Sequence, residues 1–159
     1  MTEDWPSTPE EYASAIQQYN EIPSRYRLET FENEYQEKDI WGTYVEDVVL
    51  EQHDSERMQR TLRLSGEAWM EHMQGRGRHY ATGSPLDVNE WCNSLLEEKA
   101  RRTCYDYYFV RIYDFYEYLK YSVSHPHLYN PFLIAATQYD AARYIWMHRV
   151  DERERGDDS

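Results

Sequence analysis

Cysteine, lysine and long apolar runs are all scarce in this sequence, and each scarcity excludes a class of protein. The only cysteines are Cys92 and Cys104. Two thiols are too few for a disulfide framework or a four-ligand zinc site. No apolar run approaches the roughly 18 residues that would read as a membrane span. The opening residues, MTEDWPSTPEEY, carry neither a basic stretch nor an apolar core, so they do not read as a secretory signal. The expectation is a cytoplasmic protein with ordinary thiols and no membrane partner.

Familiar catalytic signatures are missing too. The run GRGR at 75–78 lacks both the preceding strand and the downstream acidic residue of a dinucleotide loop. No Ser-His-Asp order or nucleophile elbow is visible. His125-Pro126-His127 has no cysteine or carboxylate cluster at ligand spacing. No metal and no other cofactor is expected.

Lysine is outnumbered by arginine, three (Lys38, Lys99, Lys120) against fourteen, within a net charge of −13. That charge is unevenly spread. Residues 1–56 hold 15 acidic and 3 basic side chains, a net of −12. Residues 57–120 hold 9 acidic and 10 basic, a net of +1. An acidic surface taken whole opposes nonspecific attraction to nucleic acid. Adaptation to high salt is a second reading of the same charge, because salt screens self-repulsion.

What is present is helical punctuation. Thr8-Pro9, Ser84-Pro85 and Asn130-Pro131 each pair a capping side chain with a proline suited to the first helical turn. Glu11 and Asp87 stand three residues after Thr8 and Ser84, the spacing of a capping box. Helices are predicted over about 9–19, 27–36, 40–52, 56–74, 85–99, from just after Arg101-Arg102-Thr103 to about 122–124, and over 131–150. GRGRHYATGS at 75–84 and HPHLYNP at 125–131 read as loops. No period-2 pattern and no repeat appears. The expected fold is all-α: an antiparallel bundle of four to five helices over 57–150, an acidic, partly helical extension over 1–56, and a charged tail over 151–159.

The stretch YDYYFVRIYDFYEYLKY, residues 105–121, contains seven tyrosines. On a helix, Tyr105, Tyr108, Phe109, Ile112, Phe115, Tyr116 and Leu119 share one broad face, which is core spacing. Tyr107, Arg111, Asp114 and Tyr118 fall on the other side. A nucleophilic tyrosine needs an activating constellation, and only Arg111 is near.

Basic residues gather around that helix. Lys99, Arg101, Arg102 and Thr103 stand at its N-terminus, where free N–H groups favour an anion. Thr103, Tyr107 and Arg111 follow at spacings of four. Arg57, Arg60 and Arg63 stripe the 56–74 helix, and Arg76 and Arg78 sit in the glycine-flanked loop. Arginine suits bidentate recognition of phosphate or guanine. Solvated surface charge, paired with Glu97 and Glu98 at the helix start, is the alternative for the same residues.

Over about 57–135 the order of these elements resembles a known family. A first helix carries a tryptophan, RLSGEAWMEHM. A proline-started helix follows, SPLDVNEWCNSLLEE. A threonine then opens a long helix ending in FYEYL, and a short turn closes on YNPF. The arrangement is similar to the N-terminal core-binding (SAM-like) domain of tyrosine recombinases, the phage-integrase and Xer-type family. The resemblance implies a helical bundle that clamps one face of a recombination-site duplex through its first and third helices. By position it points to Arg57, Arg60 and Arg63, and to Arg101, Arg102, Thr103, Tyr107 and Arg111. The family's separate catalytic domain is not expected in these residues, of which only 28 follow Pro131. The resemblance therefore implies a DNA-binding protein of recombination or integration without strand cleavage. Its partners would be double-stranded DNA, and a full-length recombinase or a second copy on DNA. The rival expectation is an acidic protein-interaction module whose first 56 residues dock on a basic partner, or fold as a cover over the basic face.

Overall fold

Helix punctuation by capping side chains organises the chain as its sequence suggests. The computed structural model describes residues 8–13, 18–49 and 55–151. Thr8 Oγ1 accepts from the Glu11 amide (3.3 Å) at the start of α1 (Pro9–Ala13). A one-turn α2 (Glu32–Tyr35) and α3 (Ile40–Tyr44) follow, with three short 3-10 turns before α2. Ser55 caps α4 (Glu56–Gly75) by accepting from the Met58 amide. Ser84 and Asp87 form the reciprocal capping box of α5 (Pro85–Glu98). The tyrosine-rich helix, α6, spans 101–120: Arg101–Cys104, a π-helical turn Tyr105–Phe109, then Val110–Lys120. Asn130 caps α7 (Pro131–Gln138) through the Phe132 amide, and α8 (Asp140–Trp146) closes the order. Among the described residues there is no strand. No described helix is long and apolar enough to cross a membrane.

Several elements differ from the sequence expectation. The helix expected over 27–36 is a 3-10 turn, Leu28–Phe31, running into α2. The helix expected over 40–52 gives way after Tyr44 to a π-helical turn, Val45–Val49. Residues 14–17 of the first expected helix, 50–52 of the third, and the tail beyond Asp151 lie outside the described residues. The last expected helix, 131–150, breaks at Tyr139, whose backbone is extended (φ −128°, ψ 148°). Its second half is restarted from a distant residue: Asn89 Oδ1 accepts from the Ala142 amide (3.0 Å).

The core is one continuous cluster centred on the aromatic faces of α4, α5, α6 and α7. Trp69 meets Trp91 and Phe132 edge-on, with centroids 5.0 and 5.1 Å apart, a favoured aromatic geometry. Phe109, Ile112, Phe115, Tyr116 and Leu119 of α6 are all fully buried. Tyr105 and Tyr108 on the same face are only half-buried. The core spacing read from the sequence therefore holds for most of that face.

Described residues among the first 56 contribute to the same core. Leu28, Tyr35, Trp41 and Tyr44 are buried in the same cluster as the later helices. Burial of side chains of this size is worth about 1.5–3 kcal/mol each. Trp41 lies so close to α4 that a Cβ on Gly66 would stand 2.6 Å from its Nε1. The loop after α4 is the joint. Tyr80 OH accepts from the Ile40 and Trp41 amides (2.8 and 3.0 Å). Glu32 accepts from the His79 amide and the Thr82 hydroxyl. From the core side, Trp69 Nε1 and Tyr116 OH both donate to the Tyr80 carbonyl (2.8 and 2.6 Å).

Candidate nucleic-acid interface

The helix α4 turns Leu62, Trp69 and Met73 inward, with Ser65 and Gly66 beside them. Its arginines therefore face outward. Arg57, Arg60 and Arg63 are all exposed. A spacing of three residues rotates each by about 60° from the last on a 3.6-residue helix, so together they sweep the outer face from one flank to the other.

On the first flank α4 meets α6. Arg57 Nη2 donates to Tyr107 OH at 3.2 Å, joining two sequence candidates 50 positions apart. Tyr107 keeps 38% of its surface exposed. Arg102, one turn earlier, is the most open candidate on α6, with 74% of its side chain exposed and Asp106 3.5 Å away. On the second flank Arg60 and Arg63 line a cavity of about 530 Å³ floored by Trp41, Val45 and Leu62. Glu46 and Glu56 line the same cavity.

The remaining candidates are drawn elsewhere. Arg76 and Arg78 both pair with Asp87, whose side chain is completely buried. Arg78 Nε adds a second contact to Asp87 Oδ2 at 3.1 Å. Burial alone would raise the Asp87 pKa. Hydrogen bonds from the Ser84 amide and Arg76, with the charge of Arg78, outweigh burial and hold it below the ordinary carboxylate value. A buried carboxylate must be matched by charge, so these two arginines are drawn onto Asp87. Arg101 is held by Asp151 (2.6 Å) and stacks over Tyr144 at 4.9 Å. Lys99 lies 5.3 Å over Tyr108 and 3.6 Å from Glu98, as the surface-charge alternative expects.

Thr103 and Arg111 are half-buried rather than exposed beside Tyr107. The π-helical turn lies between them, and it adds a residue to the turn, so four-residue spacing no longer keeps one face. Arg111 Nε donates to the Asp106 carbonyl (3.2 Å). Its side chain lines a second cavity, of about 610 Å³, with Tyr44, Met58 and Asp114. Asp114 keeps solvent contact yet stands among aromatic rings. Burial pushes its carboxyl up to about 6, with Arg111 pulling it down, Glu117 pushing it up and Arg149 pulling it down.

Other groups of possible chemical interest are structural. Burial raises both cysteine thiols, so neither is a ready thiolate. His127 is buried, with Nε2 donating to the Ala81 carbonyl at 2.7 Å. No group of three or more His, Cys, Asp or Glu side chains among the described residues could hold a metal ion. Two features escaped sequence reasoning: the double engagement of Asp87, and the approach of Glu46 and Glu56 to Arg60 and Arg63. The first had a partial signal in the Ser84–Asp87 capping box. The second had a partial signal too, since Glu56 stands four residues before Arg60 on α4, but the place of Glu46 depends on how the turn after α3 lies against that helix.

The fold and surface thus define an all-helical chain with an arginine-bearing helix face in an otherwise acidic molecule. No family model, curated protein or solved structure matches the chain.

Proposed function

We propose that this chain binds double-stranded DNA through the outer face of α4 and the adjoining Arg102–Tyr107 edge of α6, and does not itself cleave it. The carrying observation is the Arg57–Tyr107 contact, which joins two helices chosen independently from sequence into one surface. Exposed arginines suit phosphate neutralisation, and a tyrosine hydroxyl at the helix junction suits a backbone contact. The footprint is Arg57, Arg60, Arg63, Arg102 and Tyr107. The order of motifs that resembles a recombinase core-binding domain suggests a setting in site-specific recombination or integration. In that setting the helices α4 to α8 act as a DNA clamp, beside a full-length recombinase or a second copy.

Fluorescence anisotropy with a labelled duplex tests this reading. Wild-type protein should bind, and Arg57→Ala/Tyr107→Ala should weaken binding about ten-fold, the sum of two phosphate-type contacts. Unchanged affinity in the double variant would refute the footprint.

A second reading is favoured by a separate observation. The N-terminal segment turns Leu28, Tyr35, Trp41 and Tyr44 inward and leaves Glu29, Glu34, Glu37, Asp39, Glu46 and Asp47 exposed. That acidic surface suits a basic protein partner, such as the recombinase itself. Capture of a basic partner in the presence of nuclease, lost on neutralising Glu34 and Glu37, would favour docking over direct DNA binding.

A further inference from the structure

We infer that Glu46 and Glu56 form an acidic guard on the arginine face, weakening its hold on polyanions. The inference rests on the DNA-binding reading and specifies how that surface is restrained.

Four charged side chains share the 530 Å³ cavity: Arg60 and Arg63 from α4, Glu56 from its first turn, and Glu46 from the turn after α3. None of the four makes an ion pair or side-chain hydrogen bond with another described residue. Among the described residues, then, no side chain occupies either arginine, which leaves them open to an anion. An arriving phosphate at their rim meets two carboxylates in the same cavity. Like charge held near a binding site lowers affinity without occupying it, and mutating such a rim charge alters association and salt dependence.

The guard is not a detachable lid. Trp41 is wedged against Gly66, and the Ile40 and Trp41 amides donate to Tyr80 OH. Tyr44 packs on Phe115 and Tyr118 at 5.4 and 5.1 Å. Deleting the N-terminal segment would strip these rings from the core, so it cannot reveal the guard. Neutralising the two carboxylates in place can.

The effect must be separated from net charge. Glu46→Gln/Glu56→Gln and Glu90→Gln/Glu97→Gln make the same change in charge. Glu90 and Glu97 are exposed on α5, outside the cavity. The first probe is immobilised heparin, a polyanion without bases. Glu46→Gln/Glu56→Gln should elute at clearly higher salt than both wild type and the α5 control. Adding Arg60→Gln/Arg63→Gln should erase that gain. Equal gains in guard and control variants would overturn the guard, as would a gain that survives loss of the arginines.

The second probe is a labelled duplex. Glu46→Gln/Glu56→Gln should bind about five-fold tighter than wild type at low salt, the difference shrinking as salt screens it. Duplex binding with no difference between the two would overturn the guard and leave the DNA reading standing. Heparin gain without duplex binding in any variant would uphold the guard and refute the DNA reading.

Discussion

Acid should destabilise this protein through one buried ring, His127. The side chain is 1% exposed and packed between Tyr35, Tyr116 and His125, with centroids 5.7, 5.9 and 5.8 Å away. His79, Lys38 and Glu34 are the other ionisable groups around the Tyr35 seat. Burial is the main cause that pushes the His127 pKa down, to about 4; the hydrogen bond to Ala81 opposes this and His125 adds to it. In the unfolded chain the value returns to about 6.5. The folded pKa is the lower one, so the contribution is present above about pH 6.5. It is lost as pH falls from there towards 4, because the unfolded chain takes up the proton first. At about pH 5 the loss amounts to roughly 2 kcal/mol. The perturbation is His127→Gln, which keeps an N–H for the Ala81 carbonyl but does not titrate. Urea unfolding of both proteins near pH 7 and pH 5 gives the comparison. Wild type should lose about 2 kcal/mol more than the variant between the two conditions. The lowered pKa of His72 and the raised pKa of Asp114 act in both proteins and cancel. Parallel losses, or an imidazole titration of folded His127 near 6.5, would refute the reasoning.

Other substitutions test the framework that carries the surface. Asp87→Ala leaves Arg76 and Arg78 facing each other without their buried counter-charge. It should cost about 3 kcal/mol in chemical denaturation. Gly66→Ala places a methyl against the Trp41 indole. It should cost about 1–3 kcal/mol and increase Trp41 exposure to quenchers. Tyr107→Phe removes only the exposed hydrogen bond from Arg57, so thermal stability should shift by less than about 1 kcal/mol while duplex affinity falls.

Local signals in the sequence were legible where one short stretch decided the outcome. Thr8, Ser84 and Asn130 cap the helices that their prolines start. The inward face of α6 follows helical spacing through Phe109, Ile112, Phe115, Tyr116 and Leu119. What was not legible depends on distant contacts. The acidic N-terminal segment reads as an extension because its charge dominates its composition. Yet Leu28, Trp41 and Tyr44 complete the core, and nothing local marks Gly66 as the notch for Trp41. The break at Tyr139 is likewise set from outside, by Asn89. For the surface, sequence placed Arg57 and Tyr107 on candidate helices, and folding brings them to 3.2 Å. It could not separate Arg60 and Arg63, which no described side chain pairs with, from Arg76 and Arg78, which Asp87 holds. The π-helical turn that removes Thr103 and Arg111 from the Tyr107 face has no sequence signature of its own.

The central claim is that α4 presents its arginines to DNA phosphates. The salt dependence of duplex binding tests it most directly, with wild type compared against Arg57→Ala/Arg60→Ala/Arg63→Ala. Each phosphate contact contributes about 0.9 to the slope of log affinity against log salt, so the triple variant should lose roughly 2 to 3 from that slope. Binding with an unchanged slope, or no duplex binding by wild type at any salt the fold tolerates, would contradict it.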